Sequence, residues 1–464
     1  MANSEDLKEE CGVVAAISKN KKPVAQQIYR GMIGVQHRGQ DAAGLTLYND
    51  DSFYTRRGLG LVASIVVADD LNQPGWIGIA HTRYPTTATA TIKDVQPSVS
   101  EKLAVAHNGH IANYAKLREE LEGRGFVFEG TVDSEVILFL IKEKLDETGD
   151  LSIAVKYAME KLDGAYSVVG IYDEKLFAFR DPHAIRPLTY GEDGEHFMFC
   201  SESVGLNLNN IQYGGSVHPG ELWVVDSEGN KKKESLLDKG ARHCMFEYVY
   251  FSRPDSVIDG KLVEEIRIKL GKQLALEAPV EADLVIPIPD TSRSAALGFA
   301  KATGIEYVEG VIKNRYVGRT FIMPNQESRK KAIRLKVNPI RSVIEGKRIV
   351  LFDDSIVRGT TMKELIQLIR ACNPKEIHLR ITCPPVISPC FYGVDMPTYK
   401  ELIANNMSVE EIRKFLGVDS LHYISVDGLK EVVGEDSCLG CVTGKYVTPV
   451  AERMAEEKKN PKGC

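Results

Sequence analysis

The feature that most limits how this chain can fold is the string VLFDDSIVRGTT at residues 350–361. The apolar run 349–352 reads as a buried strand, and it ends in two acids, Asp353 and Asp354. A polar turn with one glycine then leads into a helical segment. Parallel sheets bind ligands beyond the carboxyl ends of their strands. Backbone N–H groups of the turn and the helix N-terminus suit a phosphate. Ser355, Thr360 and Thr361 add hydroxyl donors, and Gly359 lets the backbone approach closely. Two adjacent carboxylates suit sugar hydroxyls and a hydrated Mg²⁺. Spacing alone also allows a plain strand–turn–helix connection with solvated acids.

The surrounding sequence repeats this order. Strands are expected at 283–288, 348–352 and 376–382, and helices at 262–276, 292–303 and 361–372. Strands alternating with helices imply a parallel sheet. A second strand end carries Asp290, Thr291, Ser292 and Arg293 just before a helix. Between the two ends lies KNRYVGRTFIMP, residues 313–324, where Lys313, Arg315 and Arg319 make a basic segment able to close over an anionic leaving group. Without that role it is a basic surface loop.

Upstream the pattern differs. Short β-type runs at 11–18, 44–49, 77–84, 103–109, 165–172, 175–181 and 221–226 alternate with Gly-rich turns. Only two amphipathic stretches interrupt them, at 112–123 and 134–145, the second behind an Asp133/Ser134 cap signal. This predicts a sheet sandwich with helices against it. The charged stretch KKKESLLDK at 231–239 is taken as the boundary, and the charged segment 451–464 as a tail that frays. At 464 residues, two to four domains are expected. The apolar and charged fractions, 43% and 26%, are those of a soluble globular protein. A net charge of −6 gives no reason to expect nucleic acid, and no apolar run suits a membrane span. The acidic start MANSEDLKEE is not a secretory signal, so a cytoplasmic location is the expectation.

Cys11 opens the first strand of the upstream half. A lone cysteine there is usually a buried core residue. Its companions make it a nucleophile candidate. HTRYPTTA offers Arg83, a fork for a carboxylate. AHNGHIAN offers Asn108 and Gly109, a side-chain amide and a backbone N–H suited to an oxyanion. GTVDSEV offers Asp133 for an ammonium group, and QHRGQDAAG at 36–44 adds a polar, Gly-bounded turn. Together these suit hydrolysis of the glutamine side-chain amide. The nine cysteines argue for metal or catalysis over disulfides in a reducing compartment. Cys438 and Cys441 form a C-x-x-C pair, for which spacing leaves open a metal site or plain buried thiols.

The upstream strings resemble the glutaminase domain of N-terminal-nucleophile amidotransferases, and the downstream strings resemble type I phosphoribosyltransferases. Both, in this order, resemble the amidophosphoribosyltransferase family in its iron–sulfur, propeptide-bearing branch. The resemblance implies an αββα sandwich over residues 11–235 followed by an α/β phosphoribosyltransferase domain with a central parallel sheet over 236–450. It implies that residues 1–10 are a propeptide removed before Cys11, whose α-amine then serves as general base. It assigns Arg83 and Asp133 to glutamine and Asn108 and Gly109 to the oxyanion. It assigns Asp353, Asp354, Ser355, Val357, Arg358, Gly359, Thr360 and Thr361, with Lys313, Arg315 and Arg319, to 5-phosphoribosyl 1-pyrophosphate. One Mg²⁺ per subunit falls to Thr291, Asp353 and Asp354, and one [4Fe–4S] cluster per subunit to Cys244, Cys390, Cys438 and Cys441. Feedback by purine nucleotides and a homotetramer are implied as well. One departure is His110, where many relatives have Asn or Gln. The rival reading is a regulatory protein that senses the sugar pyrophosphate with an inactive transferase fold.

Overall fold

The structure is a computed structural model that describes residues 11–50, 52–84, 91–314, 335–394, 396 and 398–459. Residues 1–10, Arg315 and Arg319 lie outside them.

The first half stacks two antiparallel sheets. One runs in the order Gln212–Ser216, Thr189–Glu192, His196–Cys200, Gly12–Ser18, Ile77–Arg83, Ala42–Asn49, Ser52–Leu59. The other runs Lys231–Ser235, Glu221–Val225, Lys175–Arg180, Gly164–Tyr172, Leu103–Ile111, Ser98–Ser100. Side chains alternate across each strand. In Gly12–Ser18, Val13, Ala15 and Ile17 enter the core between the sheets, with Ala104, Ala106, Val169 and Ile171 opposite. Val14 and Ala16 face the other way, onto Ile28 and Met32 of the helix Ala25–Gly34. The outer face of the second sheet is covered by the helices Ser134–Thr148 and Leu151–Lys161. The layers are therefore helix, sheet, sheet, helix.

Within the boundary stretch 231–239, Lys231–Ser235 is a strand paired with Glu221–Val225 at the edge of its sheet. Its lysines mark an edge that resists pairing with another chain. Residues 451–464 do not begin as a frayed tail. Pro449–Lys459 is a helix with Ala451 and Ala455 buried.

The second half is built on a five-stranded parallel sheet, ordered Glu306–Tyr307, Leu284–Pro287, Arg348–Asp353, Glu376–Ile381, Ser420–Tyr423. Ile349, Val350, Leu351 and Phe352 have no exposed surface, as expected of a central strand covered on both faces.

Three arginines of the first half are less than 2% exposed, and each bonds the second half. Arg38 meets Glu247, Arg180 meets Asp259 at 2.7 Å, and Arg186 Nε donates to the Tyr392 carbonyl at 2.9 Å.

Replacing Lys231, Lys232 and Lys233 by valine should produce concentration-dependent association in sedimentation velocity. Replacement by glutamate should leave the sedimentation profile of the parent protein unchanged.

Two candidate active sites and a cysteine cavity

Cys11 precedes a central strand of the seven-stranded sheet. Gly12 pairs with Thr82 and Val13 with His81, which brings Arg83 alongside the cysteine. Arg83 is buried, and its guanidinium donates to the Asp94 carbonyl. Arg38 Nε donates to the Cys11 carbonyl at 2.9 Å.

Asn108 lies in the strand Leu103–Ile111 and is 1% exposed, yet its Nδ2 has no hydrogen-bond partner among the described residues. Buried amide donors are nearly always paired, so an orphaned one suggests a missing acceptor. Gly109 beside it has φ +138°, and a Cβ there would lie 1.9 Å from the Ala165 carbonyl oxygen. Only glycine fits this position.

Asp133 precedes the helix Ser134–Thr148 but makes no side-chain cap bond to it. Its Oδ2 instead accepts from the Ile111 N–H at 3.0 Å. His107 Nε2 lies 3.4 Å from Oδ1 and His110 Nδ1 lies 3.5 Å from Oδ2. Burial acts to raise the Asp133 carboxyl, but the neighbouring imidazoles of His107 and His110 outweigh it and hold it well below the usual carboxylate range. His81, fully buried beneath, is pushed well below the ordinary imidazole value by burial, with His107 and Arg83 adding to the effect. The structure thus gathers Cys11, Arg83, Asn108, Gly109 and Asp133 around the facing strands. Sequence reasoning missed His107 as a partner of Asp133. It saw His110 only as a departure at the rim, although His110 contacts that carboxylate.

Arg38 was legible only as part of a polar turn. Its Nη1 bonds Glu202 at 2.7 Å and Glu247 at 2.9 Å, and its Nη2 bonds Glu247 at 2.7 Å. Glu202 also accepts from His37 Nε2 and Ser256 Oγ, each at 2.7 Å. Burial would raise the Glu202 carboxyl; His37 and Arg38 prevail and hold it well below its ordinary value.

At the second site, Asp353 ends the strand Arg348–Asp353 and is half-buried, while Asp354 is buried. Thr291 Oγ1 donates to Asp354 Oδ2, joining the two strand-end loops, and Ser355 Oγ donates to Oδ1 at 2.7 Å. Gly359 has φ +79° and precedes the helix Thr360–Arg370, with Thr360 exposed and Thr361 half-buried at its first turn. Val357 is buried, and its carbonyl accepts from the Ile403 N–H at 2.9 Å. Arg358 pairs with Glu401 at 3.2 Å. Lys313 reaches Asp290 at 3.0 Å, so its ammonium stands beside the Thr291 loop. The oxygen donors Thr291, Asp353 and Asp354 are of the hard type that Mg²⁺ takes.

The four cysteines meet although they are distant in sequence. His243–Cys244 pairs in parallel with Ser437–Cys438, placing Cys244 opposite Cys438. Cys244, Cys390, Cys438 and Cys441 line one cavity with Phe246 and Tyr446. None of the described cysteines is in a disulfide. Burial pushes the Cys438 thiol up to about 12 and the Cys441 thiol well above its ordinary value. Among the described residues no three such side chains converge tightly enough to hold a single ion. The thiols are spread around a cavity instead. Cys383 is fully buried and is not among the residues that line this cavity.

Comparison with known proteins fits both halves. A glutamine amidotransferase domain model matches residues 81–207, and a phosphoribosyl transferase domain model matches residues 255–388. The amidophosphoribosyltransferase of Methanothermobacter thermautotrophicus is 46% identical over 98% of each chain. That of Bacillus subtilis is 40% identical over 97% of this chain and 96% of its own. A solved structure of the B. subtilis glutamine phosphoribosylpyrophosphate amidotransferase, complexed with ADP and GMP, superposes with a TM-score of 0.87 at 40% identity. It covers 95% of this chain and 98% of its own. A structure described as the allosteric regulatory enzyme of purine biosynthesis superposes at 0.88 with 39% identity, covering 95% and 97%.

Glu202 sets an expected pH response. Its carboxyl is depressed on folding, so its contribution is present above the unfolded value of about 4.3 and is lost as pH falls towards the folded value. Glu202→Gln should flatten the acid limb of thermal stability measured between about pH 3 and pH 7, relative to the parent protein.

Proposed function

The chain belongs to the amidophosphoribosyltransferase family, and on that premise we propose how its two sites divide the work. The family's reaction, the first step of purine biosynthesis, takes the amide nitrogen of glutamine to C1 of 5-phosphoribosyl 1-pyrophosphate. The products are 5-phosphoribosylamine, glutamate and diphosphate.

In the proposed division, the Cys11 thiol attacks the glutamine amide carbon. Arg83 holds the substrate's α-carboxylate and Asp133 its α-ammonium. Asn108 Nδ2 and the Gly109 N–H receive the oxyanion, and the buried, unpartnered Asn108 amide carries this reading. Once residues 1–10 are removed, the α-amine of Cys11 shuttles the proton that lets ammonia depart. Water then frees glutamate from the thioester.

At the second site, Ser355, Gly359, Thr360 and Thr361 cradle the 5′-phosphate, with Val357 and Arg358 shaping the loop. Asp353 and Asp354 face the ribose and the positive charge that develops on it. Lys313, with Arg315 and Arg319, holds the pyrophosphate as it leaves. Thr291, Asp353 and Asp354 would hold Mg²⁺, which when bound neutralises charge on the pyrophosphate.

The cysteine cavity fits a [4Fe–4S] cluster held by Cys244, Cys390, Cys438 and Cys441. Four bare thiolates around an apolar space would be costly, and a metal core offsets that cost. Purine nucleotides are proposed as feedback inhibitors because the B. subtilis relative is complexed with ADP and GMP. A homotetramer and a cytoplasmic location complete the proposal. No helix among the described residues is long and apolar enough to cross a membrane.

Asp353→Asn with Asp354→Asn should abolish phosphoribosylamine formation and leave some basal glutamate release. Unchanged synthesis would refute the sugar-site assignment. N-terminal sequencing and metal analysis of anaerobically purified protein should give a chain beginning at Cys11 and about four irons per chain. A fully active chain still beginning at Met1, or stoichiometric zinc without iron, would overturn the corresponding assignment.

A further inference from the structure

Two contacts join the Cys11 pocket to groups that the second half supplies. The first runs through Arg38. Its Nε edge holds the Cys11 carbonyl at 2.9 Å, and its two terminal nitrogens hold Glu247 at 2.9 and 2.7 Å. Glu247 opens the one-turn π-helix Glu247–Phe251, and its Oε2 also accepts from Ser252 Oγ at 2.7 Å. Arg38 and Glu247 are both buried. A guanidinium is planar and rigid, so anchoring its two terminal nitrogens sets where the third can point.

The second contact is between backbones. Gly393 has φ +106°, and a Cβ built on it would lie 3.1 Å from the Gly109 carbonyl carbon and 3.3 Å from its oxygen. Gly109 is itself crowded by Ala165, whose carbonyl oxygen a Cβ on Gly109 would meet at 1.9 Å. It thus meets closely both a strand of its own sheet and a segment of the second half, the same short segment that carries Cys390.

We propose that the second half completes the glutamine site, with Glu247 and Gly393 as positioning residues for amide hydrolysis. Glu247 acts through Arg38 on the Cys11 carbonyl, and Gly393 acts on Gly109. Neither residue touches the substrate. Each removes freedom from a group that must stand within a fraction of an ångström of its productive position. The proposal rests on Cys11 being the nucleophile and on Gly109 flanking the oxyanion.

The test uses the full chain carrying Glu247→Gln or Gly393→Ala. Glutamate release is measured against glutamine concentration, and phosphoribosylamine formation is measured with ammonium salt in place of glutamine. For each variant, kcat for glutamate release should fall about tenfold or more, with KM for glutamine changed less than about twofold. Ammonia-driven synthesis should stay within about twofold of the parent protein. Parental kcat in both variants would overturn the proposal. So would a parallel loss of both activities, misfolding included, because that is what a purely structural role gives. Selective loss in one variant alone would overturn the assignment of the other residue. Cys11→Ala separates the underlying reading: if it still releases glutamate, the nucleophile assignment fails by itself.

Discussion

The two halves are held in register by a buried guanidinium that neither half satisfies alone. Arg38 takes one carboxylate from its own half, Glu202, and one from the other, Glu247. Removing one partner of a buried ion pair typically costs about 3–5 kcal/mol, because the remaining charge is left without solvent. Arg180 and Arg186 repeat the arrangement at Asp259 and at the Tyr392 carbonyl. An apolar interface tolerates sliding, whereas one set by planar, forked cations does not.

The cysteine cavity belongs to the same interface. Tyr392 lines the cavity, and its carbonyl is the acceptor for Arg186. Arg186 also stands 3.7 Å from Glu247. The segment that carries Cys390 therefore serves three regions at once: the cavity, the interface and the backbone beside Gly109. A disturbance at the thiols has a short path to the glutamine pocket.

What the sequence disclosed follows from how local each signal is. The run 349–352 and its two acids were legible because strand burial, strand end and turn are contiguous. The parallel sheet and the order of its helices followed directly. Cys11, Arg83, Asn108, Gly109 and Asp133 were legible as residue types, and the strand register brings them together. Arg38 was not, because its partners lie 164 and 209 positions away and nothing local distinguishes it from a solvated turn residue. That His107 and His110 meet Asp133 was missed for a similar reason. Their pairing with Asp133 depends on where a helix start meets a strand end. The lysines at 231–233 gave a boundary but not the edge strand they sit on, because surface charge marks chain boundaries and sheet edges alike.

The position of Gly393 and Glu247 along the chain has a consequence for how the protein is made. Synthesis passes the Cys11 thiol early and reaches these residues only later. A nascent chain holding the complete first sandwich still lacks the carboxylate that orients Arg38 and the backbone that confines Gly109. The proposed nucleophile, Cys11, thus leaves the ribosome early and is among the last of the proposed site's groups to be set in place. Vectorial synthesis keeps an unfinished chain from having a finished glutamine pocket before it has anywhere to send the nitrogen.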